Sequence, residues 1–220
     1  CIVPLKVEKN TIWREIPFTI GITVLLVVMG AIFGEVGFFT GCIFWILFIG
    51  FLVYLFRMAM KNQEEVVECP HKRQPGWVLA LVTVIGLAAI ILGSNMTVDS
   101  ASNIASRLGM SDRLIGLTIV AFGTSLPELV TSITAARKNN VDIAIGNIVG
   151  SNIFNILFVL GTTCLVTTVP YASKFLIDGI VCIGAAVLLW LCVVKTKELK
   201  RWGGALFLIC YAGYFVYLLM

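Results

Sequence analysis

Polar and apolar positions along this chain fall into long blocks rather than a fine alternation. Runs without a single Asp, Glu, Lys or Arg occupy 16–34, 36–56, 74–98, 143–173, 179–194 and 202–220, and 114–136 holds one charge, Glu128. A hydrocarbon core roughly 30 Å thick needs about 20 apolar residues in helical form. The blocks therefore predict seven membrane-spanning helices. The first two are expected at about 16–34 and 38–57, and the third runs from 77. The fourth and fifth are joined by the turn Arg137–Asp142. The sixth lies at about 176–194, with Leu176 and Ile177 extending a short run, and the seventh at 202–220. Strands of a membrane barrel would alternate polar and apolar residues, and these runs do not. The predicted class is an all-α polytopic membrane protein.

The third block does not stop where its hydropathy falls. Beyond Met96, the residues Val98, Ala101, Ala105 and Leu108 keep a three-to-four spacing, and Gly109 offers a left-handed stop. One helix over 77–108 would be roughly 48 Å long at 1.5 Å per residue. That exceeds the membrane and implies tilt, or an end lying at the surface. Ser111 and Asp112 then offer a cap for the fourth span.

Composition agrees with the blocks: 59% of residues are hydrophobic and 13% charged, too apolar for a soluble domain of 220 residues. The net charge of +4 carries no nucleic-acid signal, but its distribution is informative. With loops alternating sides, thirteen of the sixteen Lys and Arg fall on one side, and only Arg107, Arg113 and Lys174 on the other. That bias assigns the first side to the cytoplasm and the C-terminus to the outside. The chain opens on Cys1 with no signal-peptide pattern, and is expected to be a piece of a longer protein. Its seven cysteines make no metal-binding spacing, and no structural disulfides are expected. The polar stretch 61–76 contains Glu64, Glu65, Glu68, Cys69 and His71, but the spacing is wrong for zinc. A solvated cytoplasmic linker over 58–76 is the better reading.

The last span repeats the second. Aligning Gly41–Leu55 with Gly204–Leu218 matches seven of fifteen positions, including Gly41/Gly204, Gly50/Gly213 and Tyr54/Tyr217. The two segments lie five spans apart and so cross the membrane in opposite directions, the sign of an inverted-topology repeat. Residues 1–57 would then be the last two helices of a first repeat, and 77–220 a complete second repeat of five. The first repeat's other three spans, the partner of 76–170, would precede this chain. A chain lacking them is expected not to transport alone as a monomer.

Two apolar stretches carry polar residues that hydrocarbon should reject. The first holds Thr118, Gly123, Thr124, Ser125, Pro127 and Glu128, and the second Asn147, Ser151, Asn152 and Asn155. Thr124 and Ser125 lie four and three residues before Glu128, so all three can share a helix face. Pro127 has no N–H and clashes with the carbonyl four residues back, that of Gly123, which frees carbonyls near Ala121 to Gly123. Irregular backbone at this depth is tolerated where it is buried in protein or lines a wet cavity. The outcome is a set of hard oxygens suited to Ca²⁺ or Na⁺, with no His or thiolate cluster for softer metals. Asn147 and Asn152 have a competing role as interhelical hydrogen-bonding groups, and Gly146, Gly150 and Gly161 as close-packing positions. Glu128 has no comparable bland role, because a carboxylate at mid-span costs about 2.5–3.5 kcal/mol even on lenient scales.

The stretches GTSLPEL at 123–129 and GNIVGSNIFNILFVLG at 146–161 resemble the second α-repeat of the cation/calcium exchanger superfamily, the Na⁺/Ca²⁺ exchangers, and bacterial calcium/sodium antiporters most closely. The resemblance implies a ten-helix fold of two inverted halves, of which this chain supplies helices four to ten, with the α-repeat at 113–166. It implies cation ligands at Ala121 (through its carbonyl), Thr124, Ser125, Glu128, Ser151 and Asn155, with Glu128 and Asn155 contacting the transported ion. Some exchangers carry Asp at the position of Asn155, and its absence here leaves Na⁺ or H⁺ coupling open. A second Glu is expected from the first repeat. The implied activity is Ca²⁺/Na⁺ antiport by alternating access, in which the long third span and its partner slide past a fixed core. The implied location is a bacterial inner membrane. The partners are Ca²⁺, Na⁺ or H⁺, and the lipid bilayer. No cofactor is called for, since the ions are cargo. H⁺/Ca²⁺ exchange and a cation channel or ion sensor are the alternatives. An intramembrane hydrolase is disfavoured because the single histidine, His71, lies in a loop and no base partners Ser125.

Overall fold

The computed structural model describes residues 5–62, 75–110, 115–138 and 140–219. The described residues are helical, with two very short strand pairs among them. In chain order it has β1 (Leu5–Lys6), a π-helical turn (Thr11–Glu15) leading into α1 (Ile16–Phe33), β2 (Glu35–Val36), α2 (Phe38–Asn62) and α3 (Gly76–Arg107). A second π-helical turn (Gly116–Val120) is followed by α4 (Ala121–Thr124), α5 (Leu126–Arg137) and α6 (Val141–Phe154). A third π-helical turn (Asn155–Leu160) leads to α7 (Gly161–Val166), and β3 (Val169–Pro170), α8 (Ser173–Val194), β4 (Glu198–Leu199) and α9 (Arg201–Leu219) close the chain.

Five helical stretches among the described residues are long and apolar enough to cross a membrane: Thr11–Phe33, Phe38–Lys61, Gly76–Arg107, Ile143–Val166 and Lys174–Val194. A sixth crossing exists if the bent pair Thr118–Thr124 and Leu126–Arg137 counts as one span. The protein is an integral, multi-pass membrane protein. Its exposed surface fits that solvent: Leu81, Val82, Val84, Ile85 and Leu92 of α3 are all exposed. Water would penalise such a face, but a bilayer does not.

The 32-residue α3 runs unbroken, as its spacing predicts. It stops where expected: Gly109 takes a φ of +84°, and the Met110 N–H reaches back to the Ala105 carbonyl at 3.0 Å. The same chemistry ends α1, where Gly34 has a φ of +68° and its N–H bonds to Gly30 O. α2 continues to Asn62, five residues past the Arg57 at which the sequence pattern leaves the membrane. Ser111 and Asp112, and the candidate ligands of the linker from Glu64 to His71, lie outside the described residues.

The molecule divides into two compact units. The first combines the chain through α2 with Ala135–Leu208. Its core joins Ile12 and Ile16, Phe44 of α2, Ile153 of α6, Leu157 of the third π-turn and Val193 of α8. α2 and α7 approach through glycines: a Cβ at Gly41 would lie 2.8 Å from Gly161 O, and one at Gly161 would lie 3.1 Å from Phe44 Cβ. The Trp45 indole N–H reaches Thr162 Oγ1 beside that contact, at 3.2 Å. The packing role expected for Gly161 is therefore met, whereas a Cβ at Gly146 or Gly150 would meet nothing within 4 Å. Thr19 and Thr23 satisfy their hydroxyls inside the apolar α1 by donating to the carbonyls of Glu15 (2.8 Å) and Thr19 (2.7 Å).

The strand pairs were not legible beforehand. β1 pairs antiparallel with β4, and β2 with β3. Each ladder is two residues long and ties together loops far apart in sequence. The second unit contains α3, the bent pair as far as Thr134, and α9 from Ile209 onward.

Candidate cation site

The second unit holds the broken helix. Apolar residues from Thr118 onward favour continuation, but Pro127 cannot donate to a carbonyl one turn back. The helix bends by 47° between Thr118–Thr124 and Leu126–Arg137. Ser125 is the hinge, at φ −91° and ψ −1°. Its N–H bonds to Phe122 O at 3.1 Å, one residue short of the Ala121 carbonyl that a continuous helix would use. The Leu129 N–H then takes Ser125 O at 3.0 Å and the helix resumes.

Glu128 stands in the first turn after this break. It is half-buried, and its Oε2 is inaccessible to solvent. Thr124 and Ser125 are exposed. The carbonyl end of α4 and the carboxylate at the start of α5 thus lie within a few residues of each other. Carbonyl ends of broken helices are negative and suit cations.

The break is braced by α3, a feature the sequence reading missed. Ser94 Oγ donates to Gly123 O at 2.7 Å, so the carbonyl that Pro127 releases is taken up by a neighbouring helix. Val98, one turn further on, packs on Gly123 so closely that any Cβ there would collide with its Cγ2. The available signal was Ser94 itself, a hydroxyl within the charge-free run 74–98, one helical turn before Val98. A cavity of about 670 Å³ also borders Gly123 in this unit, lined by Val98, Phe122, Tyr211 and Phe215 among others. Its wall is almost wholly carbon, and Thr124, Ser125 and Glu128 do not line it, so it is not built for an ion.

The second polar stretch belongs to the first unit. Ser151 is half-buried near the end of α6, and Asn155 is exposed. Asn155 opens the third π-helical turn, Asn155–Leu160. π-turns are rare and frequent at functional sites, because the extra residue per turn re-aims side chains. Of the π-turns among the described residues, Gly116–Val120 and Asn155–Leu160 adjoin the predicted ligands. Ile153 and Leu157 on the same segment are fully buried and anchor it in the core. Asn152 turns its amide onto its own helix, donating to Ile148 O at 2.9 Å, rather than across to another. Among the predicted ligands, Ala121, Thr124, Ser125 and Glu128 therefore stand together along one broken helix, and Ser151 and Asn155 along another segment in the other unit.

Residues 78–220 match the family model described as sodium/calcium exchanger protein. The chain belongs to the sodium/calcium exchanger family. Its relatives include the inner membrane protein YrbG of Escherichia coli, 35% identical over 205 residues, which cover 85% of this chain and 61% of YrbG. The sodium/calcium exchanger MaX1 of Methanosarcina acetivorans is 39% identical over 136 residues, covering 61% of this chain and 39% of MaX1. Among solved structures, the sodium-calcium exchanger NCX_Mj superimposes with a TM-score of 0.77 at 34% identity, over 99% of this chain and 69% of that one. This exchanger-family chain thus spans about two thirds of the length of the solved exchanger it matches from end to end. The family is one of membrane ion transporters, and the helical architecture is the exchanger fold.

Proposed function

We propose that the whole protein is a secondary antiporter that exchanges Ca²⁺ for Na⁺ and that this chain carries the second of its two half-sites. The observation that carries the reading is Glu128: the one charge of the apolar run 114–136, in the first turn after the break of a bent membrane helix, in a chain of the exchanger family. Its carboxylate binds either Ca²⁺ or the counter-ions, and competition for it couples the two fluxes. Thr124, Ser125 and the Ala121 carbonyl are the proposed oxygen ligands on the same broken helix, and Ser151 and Asn155 are proposed as further ligands from the motif resemblance. A neutral Asn155 leaves Glu128 as the negative charge of this half. One carboxylate balances half the charge of Ca²⁺, so an inverted first repeat is proposed to bring the second.

The proposed topology has seven spans: the five long helices, the bent pair as one crossing, and the 19-residue α9. Strand pairing supports it through parity. β2 and β3 are bonded and must share one side of the membrane, so the chain between Val36 and Val169 crosses an even number of times. α2, α3 and Ile143–Val166 give three crossings, and the bent pair makes the fourth. On this reading residues 1–57 end a first repeat, 58–76 link the halves in the cytoplasm, and 77–220 form the second repeat. The C-terminus is outside, and the membrane is the inner membrane of a bacterium.

The test is Ca²⁺ uptake by inside-out vesicles containing the full-length protein. Vesicles loaded with Na⁺ and diluted into Na⁺-free medium with Ca²⁺ are expected to accumulate Ca²⁺. Uptake driven only by a pH gradient would replace Na⁺ with H⁺ as the coupling ion. No uptake under either gradient would refute calcium antiport.

A further inference from the structure

The first unit carries a basic cleft whose lining includes none of the proposed ion ligands. It lies where the start of α1 meets the end of α2, has a volume of about 510 Å³, and is lined by Arg14, Arg57 and Lys61 with no acidic residue. The three cations come from both helices and are tied into one construction. The Arg14 guanidinium sits 5.8 Å from the centroid of the Tyr54 ring. The Tyr54 hydroxyl and the Asn10 amide both donate to Met58 Sδ, at 3.6 and 3.7 Å. Phe18 and Phe51 stack at 5.5 Å and hold the two helices together one step further along. Arg14, Arg57 and Lys61 are all exposed side chains. An anion entering the cleft meets three cations and no carboxylate of its lining.

A second cavity of about 310 Å³ adjoins the first and shares Arg14, Gly50 and Tyr54 with it. Its remaining wall is mainly apolar, with Phe18, Ile46, Leu47 and Phe51. Glu15 borders it too, with its carboxylate turned onto the Thr11 hydroxyl at 2.9 Å. From Arg57 to Leu47 the lining moves ten residues along α2, about 15 Å at 1.5 Å per residue, toward the middle of the span. Arg14, Arg57 and Lys61 lie on the side that collects thirteen of the sixteen basic residues. A cationic mouth at the membrane surface opening into an apolar slot along a helix has the shape of a phospholipid. Basic pockets between membrane helices on the cytoplasmic side take anionic lipid head groups.

We propose that this cleft binds one anionic glycerophospholipid of the cytoplasmic leaflet, with its phosphate among Arg14, Arg57 and Lys61 and an acyl chain along Phe18, Ile46 and Leu47. The site is separate from Glu128 and does not depend on which ions are exchanged. It joins the two helices that precede the linker, so occupancy fastens the start of α1 to the end of α2.

The test is native mass spectrometry of the full-length protein titrated with phosphatidylglycerol or phosphatidylcholine of the same chain length. Phosphatidylglycerol is expected to be retained at least about tenfold better, and Arg57→Gln with Lys61→Gln is expected to abolish that preference. The control pair Lys195→Gln with Lys200→Gln removes the same charge elsewhere on the same side and leaves the preference intact. Gly50→Leu tests the slot: a Cβ at Gly50 meets nothing within 4 Å, so the variant folds while its side chain fills the mouth shared by both cavities. It is expected to lower lipid retention several-fold with every charge in place. Equal retention of the two lipids would overturn the proposal, as would an equal loss in the control pair. Full displacement by millimolar glycerol phosphate, with Gly50→Leu having no effect, would make this a site for free phosphate and would also overturn it.

Discussion

At Gly123 a side chain has nowhere to go, because Val98 of α3 already fills the place of a Cβ. Gly123→Ala is therefore expected to push α3 away from the break. Overpacking of this kind costs about 1–3 kcal/mol. It also strains the bond from Ser94 Oγ to Gly123 O. The check is thermal unfolding and Ca²⁺ uptake of the full-length protein. Both should fall in Gly123→Ala and recover in large part when Val98→Ala is added, whereas failure of the second change to restore either would remove the steric explanation. Ser94→Ala should cost less, about 0.5–1.5 kcal/mol for one neutral hydrogen bond. At this scale the sequence is legible where chemistry is unusual and illegible where it is ordinary. Glu128 and Pro127 stand out in an apolar run and point to the site without a structure. Ser94 and Val98 are residues any membrane helix could carry, and only their position against Gly123 gives them a role.

The elements differ in the same way. α3 could be read to its last turn because periodicity and a glycine stop are local signals, and Gly109 takes the left-handed conformation the pattern requires. The two strand pairs could not, since each joins residues more than 130 apart through two residues of ladder. The π-helical turns were also unreadable, for no residue pattern marks one extra residue per turn. The break at Ser125 is the element on which the proposed site depends. Pro127→Ala restores an N–H and removes the clash with the Gly123 carbonyl, a gain of up to about 3 kcal/mol in helix stability. The expected outcome is a protein that unfolds no earlier than the parent yet loses at least about tenfold in Ca²⁺ uptake, since misplacing site groups by about 1 Å can cost that much or more. Uptake unchanged in a straightened helix would show that the bend is incidental. Packing of α2 on α7 gives a contrast unrelated to ions. Gly41→Leu drives a side chain into Gly161 O and should lower the unfolding midpoint, while Gly50→Leu in the same helix should not.

For the whole molecule, the charge bias and the strand ladders bear on the same arrangement from independent physics. β1 and β4 lie in loops that the thirteen-to-three distribution assigns to the cytoplasm, and β2 and β3 in loops it assigns outside. Single cysteines introduced at Glu35 and Thr168 should react with an impermeant thiol reagent applied from outside intact cells, and one at Lys197 only from the cytoplasmic face. Labelling of Glu35 and Thr168 from opposite faces would break the parity that makes the bent pair a crossing. The proposed repeat of the second span in the last rests on aligned glycines and a tyrosine in apolar surroundings. The division into packing units has no sequence signature, because the first unit joins α1 and α2 to the distant α6, α7 and α8. Glu128 is the group on which the proposed coupling of the two ions rests, and its test is Na⁺-driven ⁴⁵Ca²⁺ uptake by inside-out vesicles containing the full-length protein. The parent is compared with Glu128→Gln and Glu128→Asp, each matched for folded protein by size-exclusion profile. We predict that Glu128→Gln abolishes uptake and that Glu128→Asp, which keeps the charge and shortens the reach, retains a reduced rate. Normal Na⁺-driven uptake by a folded Glu128→Gln protein would contradict the assignment of this carboxylate to the transported cation.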